Sequence, residues 1–484
     1  MANMGNSTQH WIDGAWTPSG DNATAESINP ATGENLGTFA SAGETEARAA
    51  ISAARNAFED PGWRDQPRRR AAFLLDLANR LEAAAPDIIR RLTIEGGKLL
   101  RESEYEVIAA VSEYRYYAGL ARNIFGRITE IDNGLYSMLA REPVGVAGII
   151  VPWNAPITLL ARSLAPALAA GCTAVVKAAP QTALVNAEMF RIIADTPDLP
   201  QGVINMFAET DSDGAKTLVT SPEVDIVSYT GSTKVGKEIM AAAAGTLKHL
   251  SLELGGSAPC IIFEDADLEQ AIPCIAQAGT IIAGQMCTAA SRILVHPSLL
   301  EKVREGLKQA LTAIRIGPGD HAESQMGPMI DMASRDRIQR MVAEAETTDE
   351  VVLHGEVPGG ELACGAFIRP SLVAIRSPDP PLLKEEIFGP VLTLDTFDNE
   401  EEAILKANNT DYGLAASIWS SDLKKAQRVA HQIRSGTVWI NGHNRLFAEI
   451  ETGGYKESGL GRIHGTEGLD TLLHTKHISW DVGA

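Results

Sequence analysis

Residues 224–236, Val224-Asp225-Ile226-Val227-Ser228-Tyr229-Thr230-Gly231-Ser232-Thr233-Lys234-Val235-Gly236, carry a β-branched run into a glycine turn and then into a helical pattern. A strand that passes through a turn into a helix is the repeating unit of a parallel sheet covered by helices. The same alternation extends over residues 142–254, where the other strand-like runs are Val144–Val151, Thr173–Lys177, Val203–Phe207 and His249–Leu254. The sequence therefore predicts an α/β domain around this stretch.

A second alternating series follows the pair Gly255-Gly256. Its strand-like runs are Cys260–Phe263, Ile293–His296, Val391–Asp395, Ala415–Trp419 and Thr437–Ile440. Ahead of the first series, residues 44–120 show helical patterns, and we expect the arginines at 68–70 and 90–91 to lie on solvated faces. The pattern predicts two α/β domains, with helices preceding the first.

The composition narrows the class of protein. At 484 residues the chain is longer than one hydrophobic core usually supports, and 45% hydrophobic residues can fill two. The net charge of −20 argues against nucleic acid or an anionic membrane surface as a partner, and no run approaches the roughly 20 apolar residues of a membrane span. The five cysteines have no metal-ligand or secreted-scaffold spacing, so we expect a cytoplasmic location and no metal site.

Two short runs carry residues suited to catalysis. Cys287 lies in Gly284-Gln285-Met286-Cys287-Thr288-Ala289-Ala290-Ser291-Arg292, and Glu253 precedes it in Leu252-Glu253-Leu254-Gly255-Gly256. A cysteine thiol is a weak nucleophile unless a nearby cation or helix N-terminus raises its thiolate fraction, and an isolated cysteine is more often buried and inert. Together, however, the two runs resemble the nucleophile and general-base motifs of the aldehyde dehydrogenase superfamily. The resemblance covers nearly the whole chain.

That resemblance implies an α/β fold with two Rossmann-like domains plus β oligomerisation arms. Residues 1–120 and 146–255 would form the nucleotide-binding domain, and residues 256–455 the catalytic domain. Residues 121–145 and 456–484 would be the arms. A homodimer or homotetramer is the expected assembly.

The family chemistry is the oxidation of an aldehyde to a carboxylic acid through a thiohemiacetal and a thioester on the cysteine. By resemblance, Cys287 is the nucleophile, Glu253 activates the hydrolytic water, and Asn154 in Pro152-Trp153-Asn154 stabilises the oxyanion. Without the other two residues, Asn154 beside prolines would simply indicate a turn. Two alternatives stay open: a CoA-acylating dehydrogenase, which releases its thioester to CoA rather than water and against which Glu253 argues, and a scaffold that has lost its activity.

The cofactor implied by the resemblance is NAD, with NADP as a competitor. Gly231 and Ser232 lie at a predicted helix N-terminus, which suits a pyrophosphate, although the spacing is not the Gly-x-Gly-x-x-Gly fingerprint. Many NAD-preferring relatives carry a glutamate where this chain has Pro180, but Glu209 and Asp211 would repel a 2′-phosphate. The full set of predicted cofactor residues is Ile150, Pro152, Trp153, Lys177, Gly231, Ser232, Leu254, Glu386 and Phe388.

The substrate pocket departs from many relatives, because Ala155 and Thr452 stand where those relatives have phenylalanines. Arg162 occupies a position that resembles an arginine of semialdehyde and aromatic-aldehyde members, and a guanidinium can clamp a carboxylate. A structural salt bridge is the alternative for each arginine. The predicted substrate residues are Leu159, Arg162, Thr288 and Arg445. The expected substrate is a small aldehyde that carries an anionic or phenolic group.

Overall fold

The computed structural model describes residues 7–377, 380–383 and 385–483. The helices are α1 (Glu44–Glu59), α2 (Pro61–Arg64), α3 (Pro67–Ala83), α4 (Ala85–Gly96), α5 (Leu100–Leu120), α6 (Pro156–Ala170), α7 (Ala183–Asp195), α8 (Asp213–Thr220), α9 (Thr233–Ala243), α10 (Leu268–Thr280), α11 (Leu300–Thr312), α12 (Met332–Ala345), α13 (Glu400–Asn408), α14 (Leu423–Ala430) and α15 (Gly465–Asp470). The strands are β1 (Ser7–Thr8), β2 (His10–Ile12), β3 (Ala15–Thr17), β4 (Thr24–Ile28), β5 (Asn35–Ala40), β6 (Arg127–Asp132), β7 (Leu135–Pro143), β8 (Val146–Ile150), β9 (Thr173–Ala178), β10 (Ile204–Ala208), β11 (Ile226–Thr230), β12 (His249–Glu253), β13 (Ala258–Ile262), β14 (Ala290–Val295), β15 (Glu350–Leu353), β16 (Ser371–Ala374), β17 (Val391–Thr396), β18 (Ala415–Trp419), β19 (Thr437–Ile440), β20 (Gly459–Leu460) and β21 (Leu473–Asp481).

The first large sheet has the strand order β20-β12-β11-β8-β9-β10-β2-β3. Its five central strands are parallel, and the chain runs from β8 to β9 and β10 on one side, then to β11 and β12 on the other. The short strands at both edges are antiparallel. In such a sheet a ligand crevice lies at the carboxyl ends of the strands where the order reverses, here between β8 and β11.

Helices cover both faces of this sheet, which explains why its strands are almost continuously apolar. Side chains alternate between the two faces: Val176 packs in a cluster with residues of α3, α6 and α7, whereas its neighbour Val175 packs with residues of α1, α8 and α9. The helices that precede the sheet contradict one expectation, because Arg70 and Arg91 are buried rather than solvated. Arg70 donates to the Ala169 carbonyl, and Arg91 pairs with Glu188 at 2.8 Å.

The second large sheet has the order β15-β16-β17-β14-β13-β18-β19. All neighbouring strands are parallel except β15, which is antiparallel to β16. Every strand predicted from the sequence is present in one of the two sheets, with bounds shifted by a few residues at most. The predicted pair of α/β sheets is therefore confirmed.

A separate sheet, β21-β7-β6, is antiparallel and pairs the segment before the first large sheet with the C-terminal segment. It exposes apolar side chains, including Ile128, Ile131 and Ile478. However, β20 within the predicted C-terminal arm joins the first large sheet instead, through Leu460 and Leu252. The domain boundaries and the homo-oligomer stay predictions, and residues 1–6 and 484 of those boundaries lie outside the described residues.

Within the described part of the chain, no helix combines the length and apolar character that crossing a membrane requires.

Candidate active site

Two glycines after β12 allow three segments to meet beside Glu253. A Cβ atom on Gly255 would lie 2.4 Å from Glu386 Oε2, and one on Gly256 would lie 2.3 Å from the carbonyl oxygen of Cys287. Both distances are far inside van der Waals contact, so only glycine permits this approach. The Gly256 N–H also donates to Glu386 Oε1 at 3.0 Å. The glycine pair therefore brings Glu386 and Cys287 to the end of the strand that carries Glu253.

A tight reversal of the chain positions Cys287. After α10, Ile282 and Ala283 have positive φ angles of 48° and 53°, and Gly284 follows at 72°. Left-handed backbone at residues other than glycine costs roughly 1–3 kcal/mol and concentrates at functional sites. A Cβ atom on Gly284 would lie 2.3 Å from the Gly389 backbone, so this turn also packs closely against the segment that carries Glu386 and Phe388. The half-buried Cys287 thus lies in a loop between α10 and β14.

Asn154 is fixed at both its side chain and its backbone. Its Nδ2 donates to the Gln285 carbonyl at 3.0 Å, two residues before Cys287. Its own carbonyl accepts from the buried Lys98 ammonium at 2.9 Å, and Lys98 pairs with buried Glu106. Because an amide nitrogen carries two hydrogens, the second N–H of Asn154 is free to donate to a developing oxyanion.

Burial and nearby negative charge keep the Cys287 thiol protonated in the free protein. Burial, followed by the negative charge of Glu386, raises the pKa of Cys287 to about 12, whereas the Arg162 guanidinium lowers it. A helix N-terminus or a cation could activate this thiol. The cation is present as Arg162, but burial and the carboxylates of Glu386 and Glu253 outweigh it.

Glu253 is a buried carboxylate whose charge acts on Cys287. Its Oε1 accepts no hydrogen bond from any described residue. Burial raises the pKa of Glu253 to about 8, although Arg162 and Arg462 lower it. A carboxylate with a pKa near neutrality and one free oxygen is suited to accepting a proton from water.

Arg162 lies in α6, which begins two residues after Asn154. The positive charge of Arg162 acts on both Glu253 and Cys287. Its Nε is buried without a hydrogen-bond partner, and no ion pair joins its guanidinium to a described carboxylate. Leu159, one turn earlier on the same helix, is buried beside it. Arg162 is therefore a positive group next to Cys287 and Glu253. Its Nε is available to donate a hydrogen bond.

Thr288 is held by the loop that follows β19. Its hydroxyl donates to Asn444 Oδ1 at 2.7 Å, and its carbonyl oxygen lies 2.7 Å from His443 Nε2. Arg445, on the same loop, is exposed, and its charge acts on Cys274 rather than on Cys287 or Glu253. Arg162 and Thr288 therefore lie near Cys287 and Glu253, whereas Arg445 has no resolved charge interaction with either.

Most of the predicted cofactor residues lie at the carboxyl ends of β8, β9, β11 and β12, whereas Glu386 and Phe388 precede β17. Ser232 caps α9, with its hydroxyl accepting from the Val235 N–H, and Gly231 precedes it directly after β11. Trp153 and Phe388 form an edge-to-face ring pair with centroids 5.6 Å apart. Lys177 is partly exposed, and no described residue accepts a hydrogen bond from its ammonium. Leu254 packs over Gly236, and Ile150 lies beside Lys177 across β8 and β9.

Glu209 lies beside Lys177 at the end of the adjacent strand, β10. Its carboxylate accepts from the N–H groups of Gly214 and Ala215 at 2.7 and 3.0 Å and so caps α8. Burial raises the pKa of Glu209, whereas the Lys177 ammonium lowers it. Asp211, by contrast, is exposed. Glu209 is therefore a buried carboxylate beside Lys177.

Several residues near the site were missed from the sequence. His464 Nδ1 pairs with Glu113 Oε1 at 2.5 Å, and both side chains are buried. The charge of Arg162 acts on His464, whose φ angle is 62°. His443 was missed as well. The sequence offered no signal for either histidine, because each lies beside a partner more than a hundred residues away in the chain.

Comparisons with known proteins agree with this architecture. The model of the aldehyde dehydrogenase family matches residues 16–478. A betaine aldehyde dehydrogenase of Bacillus subtilis is 37% identical and aligns over 97% of this chain and 96% of its own length. The yeast aldehyde dehydrogenase [NAD(P)+] 2 from Saccharomyces cerevisiae is 34% identical over 98% of this chain and 95% of its own. A crystal structure of betaine aldehyde dehydrogenase from Staphylococcus aureus in complex with NAD+ superposes with a TM-score of 0.96, at 36% identity, covering 99% of this chain and 95% of that one.

The two sheets define an α/β fold that this chain shares with a solved aldehyde dehydrogenase. The chain belongs to the aldehyde dehydrogenase family. The predicted fold class and enzyme class are confirmed.

Proposed function

We propose that this protein oxidises an aldehyde bearing an anionic or phenolic group to the carboxylic acid, with NAD as the acceptor. The observation that carries the proposal is the convergence of Cys287, Glu253 and Arg162. The guanidinium of Arg162 forms no ion pair with a described carboxylate, and its positive charge lowers the pKa of both Glu253 and Cys287. A positive group in that place can hold the far end of a substrate while its aldehyde carbon faces the thiol.

Each proton and bond of the reaction can be followed through the chain's own residues and water. The Cys287 thiol loses its proton to water, and the sulfur forms a bond to the aldehyde carbon. The second N–H of Asn154 and the Cys287 N–H donate to the resulting oxyanion, an interaction worth about 10² to 10³ in rate per donor. When NAD is bound, its nicotinamide accepts the hydride from that carbon, which leaves a thioester. Glu253 then takes a proton from water as that water attacks the thioester carbon. The carbon–sulfur bond breaks to release the acid, and Glu253 returns its proton to the Cys287 sulfur.

The residues at the strand ends fit a dinucleotide. Gly231 and Ser232 present a helix N-terminus, where backbone N–H groups and the helix dipole favour a pyrophosphate. The Lys177 ammonium has donors to spare for a ribose. Glu209 beside it disfavours the extra charge of a 2′-phosphate, and a solved relative was crystallised with NAD+. These observations support NAD over NADP.

Arg162 also argues against betaine aldehyde as the substrate of this chain. Betaine aldehyde carries a quaternary ammonium, which proteins usually recognise with aromatic rings. This chain has Ala155 and Thr452 near the expected pocket, and an arginine there repels a cation. An acid-bearing semialdehyde or a hydroxybenzaldehyde is the better match.

The proposal is tested with purified protein, a panel of aldehydes and each cofactor, by following reduced nicotinamide without added CoA. We expect turnover of succinic semialdehyde or a hydroxybenzaldehyde with NAD, and much weaker turnover of betaine aldehyde. Turnover that requires CoA would indicate the acylating alternative. A hundredfold higher kcat/KM with NADP would overturn the cofactor assignment.

Replacing Arg162 with alanine should raise KM for the acid-bearing or phenolic aldehyde by about 10- to 100-fold, since a charge-assisted hydrogen bond contributes roughly 1.5–3 kcal/mol. Arg162→Lys keeps the charge without the bidentate geometry and should fall in between. Steady-state kinetics with propanal provide the control, because an uncharged aldehyde has nothing for the guanidinium to hold. An unchanged KM for both substrate classes in Arg162→Ala would refute the role of Arg162.

A further inference from the structure

His443 makes a hydrogen bond whose direction the structure fixes. This buried side chain places Nε2 2.7 Å from the Thr288 carbonyl oxygen, and a carbonyl can only accept. The proton must therefore be on Nε2. Nδ1 lies 3.8 Å from Cys260 Sγ, and the ring packs against Trp439 with centroids 4.8 Å apart. Burial lowers the pKa of His443 to about 4, so the ring is neutral at physiological pH.

The hydrogen bond from His443 to Thr288 is the first in a row of alternating hydrogen bonds and peptide units that ends at the Cys287 N–H. The Thr288 carbonyl belongs to the same peptide unit as the Ala289 N–H, and that N–H donates to the Met286 carbonyl at 2.9 Å. The Met286 carbonyl in turn shares its peptide unit with the Cys287 N–H. Two hydrogen bonds and two peptide units thus connect His443 Nε2 to the Cys287 N–H.

We propose that His443 is a positioning residue for the reaction at Cys287: through this row it orients and polarises the Cys287 N–H toward the oxyanion. The inference rests on the proposed function, which gives that N–H its partner. Each bond in a chain of hydrogen bonds strengthens the next, by about 10–30% in condensed phases. The effect matters most where charge develops, so it should accelerate formation and collapse of the oxyanion more than binding of the aldehyde.

Asn444 provides an internal comparison. It accepts from the Thr288 hydroxyl at 2.7 Å and so anchors the same residue, but it does not touch the peptide row. If His443 only anchors Thr288, loss of Asn444 should have an equal effect. If His443 acts through the peptides, loss of Asn444 should matter less.

Matched substitutions test this role in the full-length protein. His443→Phe keeps the ring packing but has no donor. His443→Gln places an amide N–H near the position of Nε2, whereas the shorter His443→Asn cannot reach it. We expect the pre-steady-state burst of reduced nicotinamide with para-hydroxybenzaldehyde and NAD to slow roughly 3- to 10-fold in His443→Phe and His443→Asn. His443→Gln should recover most of the rate, Asn444→Ala should lose less, and KM for NAD should stay unchanged.

A spectroscopic measurement separates polarisation from general damage. In a Glu253→Gln background, which retains the acyl group, the thioester C=O stretch should shift to higher frequency with His443→Phe and return with His443→Gln. Equal burst rates and stretches in the Phe, Gln and Asn variants would overturn the role of His443, and so would an equal loss in Asn444→Ala. If His443→Phe does not fold, the Gln and Asn pair alone decides. Absence of any reduced nicotinamide with the wild-type protein would instead overturn the proposed function, and this inference with it.

Discussion

Replacing Cys287 with serine is expected to reduce aldehyde oxidation by about 10⁴-fold or more, as the loss of a covalent nucleophile does in other enzymes. A hydroxyl at this place has a far higher pKa than a thiol, and the carboxylates Glu253 and Glu386 beside it further oppose ionisation. The measurement is kcat/KM with saturating NAD. Cys364→Ser is the matched control, because this cysteine is exposed and outside the site, and its activity should match the wild type. Wild-type turnover in Cys287→Ser would refute the covalent mechanism.

Replacing Glu253 with glutamine should leave one fast turnover and then slow the reaction by about 10² to 10⁴, because an amide cannot accept a proton from the hydrolytic water. Rapid mixing with aldehyde and NAD should show a burst of about one reduced nicotinamide per site, followed by a slow phase. Glu253→Asp should recover part of the slow phase, since it retains a base at a longer distance.

The same glutamate sets the expected pH dependence. Burial raises the pKa of Glu253 to about 8, so its base form increases as the pH rises through that value. Steady-state turnover of the wild type should therefore rise between about pH 7 and pH 9, whereas the slow phase of Glu253→Gln should lack this rise. Wild-type turnover that is flat across this range, or equal rates in both proteins, would contradict Glu253 as the base.

The sequence could predict the two large sheets because their signals are local. A buried parallel strand is a short apolar run, and the helix that follows has its own period, so β8 to β12 could be recognised one at a time. The short strand β20 could not be recognised, since two residues have no periodicity and their partner, β12, lies far away in the chain. Burial of Arg70 depends on the Ala169 carbonyl, a contact between segments that the sequence does not show.

Part of the candidate site could likewise be predicted from the sequence, and part could not. The motif residues Cys287, Glu253 and Asn154 could be proposed from short runs, and the structure places them around Gly255-Gly256. The pKa of Cys287 could not be predicted from the sequence. It depends on burial and on the charge of Glu386, a residue nearly a hundred positions later. His443 was missed because it binds a backbone carbonyl, which any residue could provide.

The central claim is that substrate is held on Cys287 as a thioester that Glu253 helps to hydrolyse. Intact mass spectrometry of Glu253→Gln, after incubation with aldehyde and NAD, tests it most directly. We predict a mass gain equal to the aldehyde less two hydrogens, located by peptide mapping at Cys287 and absent when NAD is omitted. An unmodified protein during active turnover, or an acyl group on another residue, would contradict it.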